Sequence, residues 1–187
     1  GAVDLYDVHS DSPSSNWNGL GDWDIMASGN WNGDGKIPAL PSASTMQLIG
    51  ADRSFSIIPD DNSFTIKPIS LGGKSLAIEI APNEFIRISL RSGGFDSALP
   101  GSGILVEHQD KNNGNLENNL VNIDPELAWV KIIEADGDDA LMRGRNSGEV
   151  GDLFNLDDKF GNLGIQIRDN RGRLVTWTAY VSDININ

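Results

Sequence analysis

The chain has 187 residues, of which 39% are hydrophobic and 22% charged, a composition typical of a globular protein with one sizeable core. Its net charge of −13 excludes nucleic acid and anionic lipid surfaces as partners, and no stretch reaches the roughly 18 apolar residues of a membrane span, so we expect no membrane insertion. Cysteine is absent, which excludes disulfides and thiolate chemistry and leaves oxygen or imidazole groups as ligands for any metal.

Residues 1–43 are predicted to form a loop-rich arm, followed by a β-rich subdomain over residues 44–187. The arm has no sustained alternation or helical period, yet it holds Trp17, Trp23 and Trp31, three of the five tryptophans. Because indoles need somewhere to bury, we expect the arm to pack along the rest of the chain or to complete a core whose other half is absent. A short helix is predicted directly after the arm, at residues 42–49, with Ser42 or Ser44 as its N-cap.

From residue 53 onward, apolar and polar residues alternate with a period of two, which predicts half-buried strands. The clearest are SLAIEIA and EFIRISLR, joined by a hairpin turn at residues 81–84. Further strands are predicted at residues 54–58, 63–69, 103–107, 129–134, 164–168 and 173–182, and a second hairpin turn at residues 169–172 joins the last two. About eight strands predict a mainly β protein, an antiparallel sandwich or barrel-like sheet with little helix.

Residues for nucleophilic catalysis are scarce. His9 and His108 are the two histidines, and neither lies in a G-x-S-x-G elbow. The chain also has no glycine-rich phosphate loop of the usual pattern. We therefore interpret both histidines as polar loop or strand-end residues and do not expect a serine triad or nucleotide chemistry.

Two oxygen-rich clusters are candidates for calcium. Asn30, Asn32 and Asp34 occupy the first, third and fifth positions of a calcium-type loop with glycine at the sixth, although proline stands where the twelfth-position glutamate belongs. Asp136 and Asp138 lie in a second, acidic run, EADGDD. Clustered carboxylates repel one another unless they are solvated or bind a metal. A plain surface turn explains the first cluster equally well, and solvation explains the second.

Two stretches of the arm carry a more specific signal: D-L-Y-D at residues 4–7 and G-D-W-D-I-M-A-S-G at residues 21–29. They resemble a segment of the immune inhibitor A family of secreted bacterial zinc metallopeptidases. There, H-E-x-x-H-x-x-G-x-x-D runs into D-L-Y-D and then into a G-x-W-x-x-M-x-S-G turn. Further blocks resemble the family in the same order at residues 31–38, 94–110, 134–137 and 148–154, so the resemblance covers nearly the whole chain.

The resemblance implies a zinc site that this chain shares with another segment. Gly1 would be the glycine of the motif, Asp4 the third zinc ligand, and Met26 the methionine of the turn beneath the metal. The H-E-x-x-H residues are not in the chain, so the missing N-terminal part of the same protein is the implied partner, and the chain alone is expected to be inactive.

In the intact protein, the resemblance implies a zinc-activated water that attacks a peptide bond, with the helix glutamate as general base. The substrates would be proteins or peptides, and the protein would be secreted and bacterial. The front of the chain shows no charged-then-apolar export signal, so by itself it is expected to be either cytosolic or a piece of a longer precursor.

Two other functions stay open at this point. Trp17, Trp23 and Trp31, set among Asn, Asp and Gly, could form a sugar-stacking platform in a non-catalytic secreted binding or adhesive module. Tryptophans that serve the core explain the same residues. The third reading is a degenerate pseudopeptidase that has lost catalysis and keeps a structural role.

Overall fold

The computed structural model describes residues 2–8 and 17–183, and Gly1 and His9 lie outside these ranges. In the described residues the protein is mainly β, with eight strands in two mixed sheets, one α-helix and several short 3-10 turns. The strands are β1 Phe55–Ser56, β2 Leu76–Ala81, β3 Glu84–Arg91, β4 Gly103–Asp110, β5 Val130–Ile132, β6 Lys159–Gly161, β7 Ile165–Gln166 and β8 Thr178–Tyr180. The predicted fold class is confirmed, as a sandwich-like pair of sheets rather than a closed barrel.

The larger sheet has the strand order β1-β2-β3-β4-β5. Its centre is antiparallel, and the predicted hairpin joins β2 to β3 through a turn at Asn83, whose φ of +62° is one that asparagine tolerates. The edge strand β1 pairs with β2 in parallel, which the alternation pattern alone did not indicate.

The smaller sheet has the order β7-β6-β8. The predicted turn at residues 169–172 forms, because Asp169 N–H donates to the Arg173 carbonyl and Arg168 pairs with Leu174 in an antiparallel bridge. Beyond this turn, however, β7 and β8 separate and pair with opposite edges of β6. Sequence reasoning missed β6, whose three residues are too short to show a period.

The predicted strand at residues 63–69 is wrong. Those residues form only an isolated bridge at Pro68 and the start of a 3-10 turn, Ile69–Leu71. The alternating side chains of this segment are mostly exposed, and the segment lies on the surface without a partner strand among the described residues. Proline also removes a backbone N–H that a ladder would need.

Two hydrophobic cores lie on opposite faces of the large sheet. Strand β4 shows the division, because Ile104 and Val106 belong to one core while Leu105 belongs to the other. The first core is closed by the small sheet and its flanking residues, including Phe154 and Phe160. The second is closed by the arm, whose contributions are Val3, Leu5, Leu20, Trp23 and Ala27. The arm therefore packs along the rest of the chain, one of the two outcomes expected for it.

The polar face of β3 is buried as well, and the arm contacts one end of it. The alternation of Arg87, Ser89 and Arg91 predicted a half-exposed strand, and this expectation is wrong, because all three residues are buried. Arg91 forms a salt bridge to Asp96 at 2.8 Å and donates to the Trp23 carbonyl at 2.9 Å. The guanidinium group of a sheet residue therefore binds the backbone of the arm. Such a buried charge is tolerable because its donors are satisfied.

The helix α1, Ala43–Leu48, begins where the sequence predicted it. Ser42 is the N-cap, and its hydroxyl accepts from the Thr45 N–H. Glu107 of β4 accepts from the N–H groups of Ala43 and Ser44, both at 2.9 Å, which binds the helix start to the sheet. None of the helical segments in the described ranges has the length and apolar character that a bilayer crossing requires.

Candidate functional site

The two stretches of the arm that resemble a metallopeptidase lie side by side. Leu5 N–H donates to the Met26 carbonyl at 2.8 Å, and Leu20 N–H donates to the Leu5 carbonyl at 3.1 Å. Gly19 makes this approach possible, since its φ is +59° and a Cβ there would lie 1.4 Å from the Leu5 carbonyl oxygen. The residue after Asp4 is thus bonded directly to Met26, about twenty residues later in the sequence.

The turn that carries Met26 is fixed by one buried carboxylate. Asp24 accepts from the Met26 N–H at 2.6 Å through Oδ1, and from the Ser42 N–H and the Thr45 hydroxyl, both at 2.7 Å, through Oδ2. Met26 itself is partly buried and packs against the core beneath the arm. The carboxylate therefore joins the turn to the start of α1, which holds both in a single geometry.

Asp4 is half-buried and is oriented by Asn119. The Asn119 amide nitrogen donates to Asp4 Oδ2, and the Asp4 N–H donates to Asn119 Oδ1, both at 2.7 Å. A hydrogen bond of this kind is what orients metal-ligating carboxylates in proteins. In the described residues, no group of three His, Cys, Asp or Glu side chains able to hold a metal includes Asp4. The zinc-ligand role of Asp4 therefore stays a prediction, and a zinc site there would need ligands from elsewhere.

The first predicted calcium cluster does not turn all its side chains to one side. Asn32 is buried, and its amide nitrogen donates to the Asp22 carbonyl at 2.9 Å, whereas Asn30 and Asp34 are exposed. The calcium assignment of this loop stays a prediction.

The second predicted cluster forms an acidic site larger than the sequence indicated. Carboxylate oxygens of Glu134, Asp136 and Asp138 lie within 4.8 Å of one another, and so do those of Asp136, Glu149 and Asp152. Sequence reasoning placed Asp136 and Asp138 together but missed Glu149 and Asp152. These two belong to the block at residues 148–154, which was noted only as part of the resemblance.

Burial makes two of these carboxyl groups resist ionisation. Desolvation raises the pKa of Asp152 above its usual value, and the nearby charges of Asp136 and Glu149 raise it further, against the hydrogen bonds from Glu149 N–H and Trp23. Desolvation likewise raises the pKa of Glu134, although the N–H groups of Leu141 and Met142 stabilise its charged form. The cluster thus combines two buried carboxyl groups, Glu134 and Asp152, with exposed carboxylates beside them.

This acidic cluster is bonded to the arm. Asp152 Oδ2 accepts from the Trp23 indole N–H at 2.7 Å, and Asp22 N–H donates to the Ser147 carbonyl at 2.6 Å. Trp17 is buried as well, with its indole N–H on the Asn122 carbonyl at 2.9 Å, while Trp31 is 74% exposed. The three tryptophans therefore do not form a common sugar-stacking platform, because Trp17 and Trp23 are buried and their indole N–H groups are hydrogen-bonded.

A separate polar cavity of about 220 Å³ lies at the end of β4 and is lined partly by His108 and Asn170. His108 Nε2 lies 2.6 Å from Glu84 Oε1, which also accepts from the Asn170 N–H at 2.8 Å. The cavity walls carry both signs of charge, Asp110 and Lys131 among them, which suits water or a small polar ligand. Glu84 was missed because it stands at the start of β3, on the face that Ile86 and Ile88 make apolar, where the pattern gives a carboxylate no role.

Comparison of the chain with protein-family models, curated proteins and solved structures finds no match in any of the three. The resemblance to immune inhibitor A peptidases therefore rests on the sequence blocks, and family membership stays a prediction.

Proposed function

We propose that this chain is the C-terminal part of the catalytic unit of a secreted zinc metalloendopeptidase of the immune inhibitor A type. The observation that carries the proposal is the hydrogen bond between Leu5 N–H and the Met26 carbonyl. It puts the segment of the implied zinc ligand against the turn of the implied site methionine, as a zinc site resting on a methionine turn requires. Two stretches that are distant in sequence thus meet where the proposed function needs them.

The chain supplies the floor of the proposed site rather than its chemistry. Asp4 would be one zinc ligand, oriented by Asn119, and the histidine pair and the glutamate would come from the N-terminal part of the same protein. Zinc, when bound, supplies a water activated for attack on a peptide carbonyl. Asp24 holds the floor rigid, because it bonds the Met26 N–H and the start of α1 at once.

The decisive experiment uses the complete protein, with the N-terminal part present. We compare the wild type with Asp4→Ala and with Asp61→Ala, which removes an exposed carboxylate outside the arm. Zinc content is measured by mass spectrometry and activity by cleavage of an unfolded protein. We expect one zinc per wild-type or Asp61→Ala molecule, and loss of both zinc and cleavage in Asp4→Ala.

Unchanged zinc and cleavage in Asp4→Ala would refute the assignment of Asp4. The residues encoded immediately upstream of Gly1 provide a second test, since H-E-x-x-H must stand there. Its absence would favour the degenerate pseudopeptidase, in which the same floor survives as a structural element.

A further inference from the structure

The acidic cluster is assembled from two segments that the backbone holds together. Asp136 N–H donates to the Gly151 carbonyl at 3.0 Å, and Ala135 N–H donates to the Asp152 carbonyl at 3.2 Å. These bonds bring the carboxylates of Asp136, Glu149 and Asp152 to one place, with their ligand oxygens within 4.8 Å of one another. Asp136 and Glu149 face solvent, whereas Asp152 is fully buried.

A second observation concerns one carboxylate oxygen of Asp152. Asp152 Oδ2 accepts two hydrogen bonds, from the Trp23 indole and from the Glu149 N–H, but Asp152 Oδ1 is buried and has no hydrogen-bond partner. A buried carboxylate oxygen left without a donor is costly, and buried charges in proteins are paired or coordinate metals. No lysine, arginine or histidine of the described residues forms a salt bridge to a carboxylate of this cluster. Arg143 lies nearby but pairs with Asp139, which is outside the cluster.

The donor set selects the type of cation. Every group of the cluster is a carboxylate oxygen, the hard ligand that Ca²⁺ prefers, and the exposed side leaves room for the waters that complete its coordination. We propose that Asp136, Glu149 and Asp152 bind a calcium ion, with Glu134 and Asp138 adding negative charge beside it. This inference goes beyond the proposed peptidase role and does not depend on it.

The site would couple calcium to the docking of the arm. Asp152 binds the Trp23 indole with its other oxygen, and the Ser147 carbonyl between the ligand segments accepts the Asp22 N–H. A cation that fixes the 134–152 segment therefore fixes the residues that precede Met26. Since calcium binds only the folded form, it raises the stability of the whole chain by mass action.

The test uses this chain, freed of divalent ions with a chelator. Calorimetry measures Ca²⁺ binding, and thermal unfolding measures its effect on Tm. Tb³⁺ is the optical probe, because the Trp23 indole nitrogen is 2.7 Å from Asp152 Oδ2 and should sensitise the emission of a bound ion. We expect one Ca²⁺ per chain, a higher Tm, and terbium emission that excess Ca²⁺ removes.

Two variants perturb the site without changing the buried Asp152. Asp136→Asn removes one ligand charge. Gly151→Ala keeps all charges but displaces the Asp136 carboxylate, since a Cβ at residue 151 would lie 2.2 Å from Asp136 Oδ2. Loss of even an outer-shell partner costs metal sites about 10–100-fold in affinity, so we expect each variant to weaken Ca²⁺ binding at least about tenfold.

Asp61→Asn is the matched control, because it removes the same charge from an exposed loop elsewhere. It should bind Ca²⁺ like the wild type. The proposal is overturned if the wild type binds no Ca²⁺ at millimolar concentration, or if Asp136→Asn binds as tightly as the wild type. It is equally overturned if Asp34→Asn, and not Asp136→Asn, abolishes binding, since the ion then lies in the 30–34 loop. Peptidase activity plays no part in this test, so its failure leaves the proposed role of Asp4 unaffected.

Discussion

At the scale of single residues, buried charged side chains connect segments of this protein that are distant in sequence. Asp24, Arg91 and Glu107 are each fully buried, and each bonds backbone groups of another segment. A charged group strengthens such a hydrogen bond, and burial makes its loss costly. The arm has little regular structure, so hydrogen bonds from these buried side chains, rather than a ladder of backbone hydrogen bonds, fix its position.

Asp24 gives the sharpest prediction at this scale. Asp24→Ala leaves the Met26 N–H, the Ser42 N–H and the Thr45 hydroxyl without their acceptor. Unsatisfied buried donors cost about 1–3 kcal/mol each, so we expect the free energy of unfolding to fall by about 3 kcal/mol or more. Urea unfolding measures this, with Asp24→Asn as the conservative variant and a smaller expected loss.

The exposed Asp61→Ala serves as the reference for Asp24→Ala and should change stability by less than about 0.5 kcal/mol. Equal urea midpoints for Asp24→Ala and Asp61→Ala would contradict the stabilising role of Asp24.

At the scale of elements, the short helix α1 depends on the sheet beneath it. Six residues are too few for a stable isolated helix, so its ends must be satisfied from outside. Ser42 caps it within the local sequence, and Glu107, from β4, accepts from two further N–H groups at its start. The helix and the strand therefore stabilise each other across the buried polar face of the sheet.

Replacing Glu107 with glutamine tests this contact. Glu107→Gln turns one acceptor oxygen into an NH₂ group that faces a backbone N–H of Ala43 or Ser44. We expect a loss of about 1.5–3 kcal/mol, the usual value of a hydrogen bond to a charged group. Glu117→Gln, an exposed change of the same chemistry, is the control. Stability that is equal in the two variants would show that the helix start does not need the carboxylate.

At the scale of the whole molecule, the arm and the β-rich part share one core. Leu5, Leu20 and Trp23 from the arm lie in the same cluster as Leu105 and Trp129. Burying a large apolar side chain contributes about 1.5–3 kcal/mol, so several of them outweigh the marginal stability of a domain this size. We therefore predict that residues 44–187 do not fold as a unit separate from the arm.

Deleting the arm tests this integration. We expect residues 44–187 alone to lack cooperative unfolding, because the second face of the large sheet loses its cover and exposes Leu105 and Val130. Circular dichroism melting and dye binding to exposed apolar surface measure the effect, and adding residues 1–43 as a peptide in trans is the control. A sharp melting transition of 44–187 near that of the whole chain would contradict it.

Part of this structure was predictable because it is local. The alternation in SLAIEIA and EFIRISLR indicates β2 and β3, the turn at Asn83 follows from residue type, and Ser42 is a recognisable N-cap. Period, turn chemistry and capping depend on neighbours a few residues apart. For the same reason the sequence by itself determined the fold class and the pairing of Asp136 with Asp138, which are two residues apart.

What the sequence left open depends on contacts between distant segments. Alternation in β3 reports two chemically different faces, but only the tertiary structure decides that the polar face is buried. Residues 63–69 alternate too, yet they form no strand, because their pairing within the described residues is limited to the isolated bridge between Pro68 and Leu90. Glu149 and Asp152 join the acidic cluster through backbone bonds between two separate segments. Burial, strand partners and shared ligand sets are properties of the tertiary structure, since the energy that selects them comes from groups far apart in the chain.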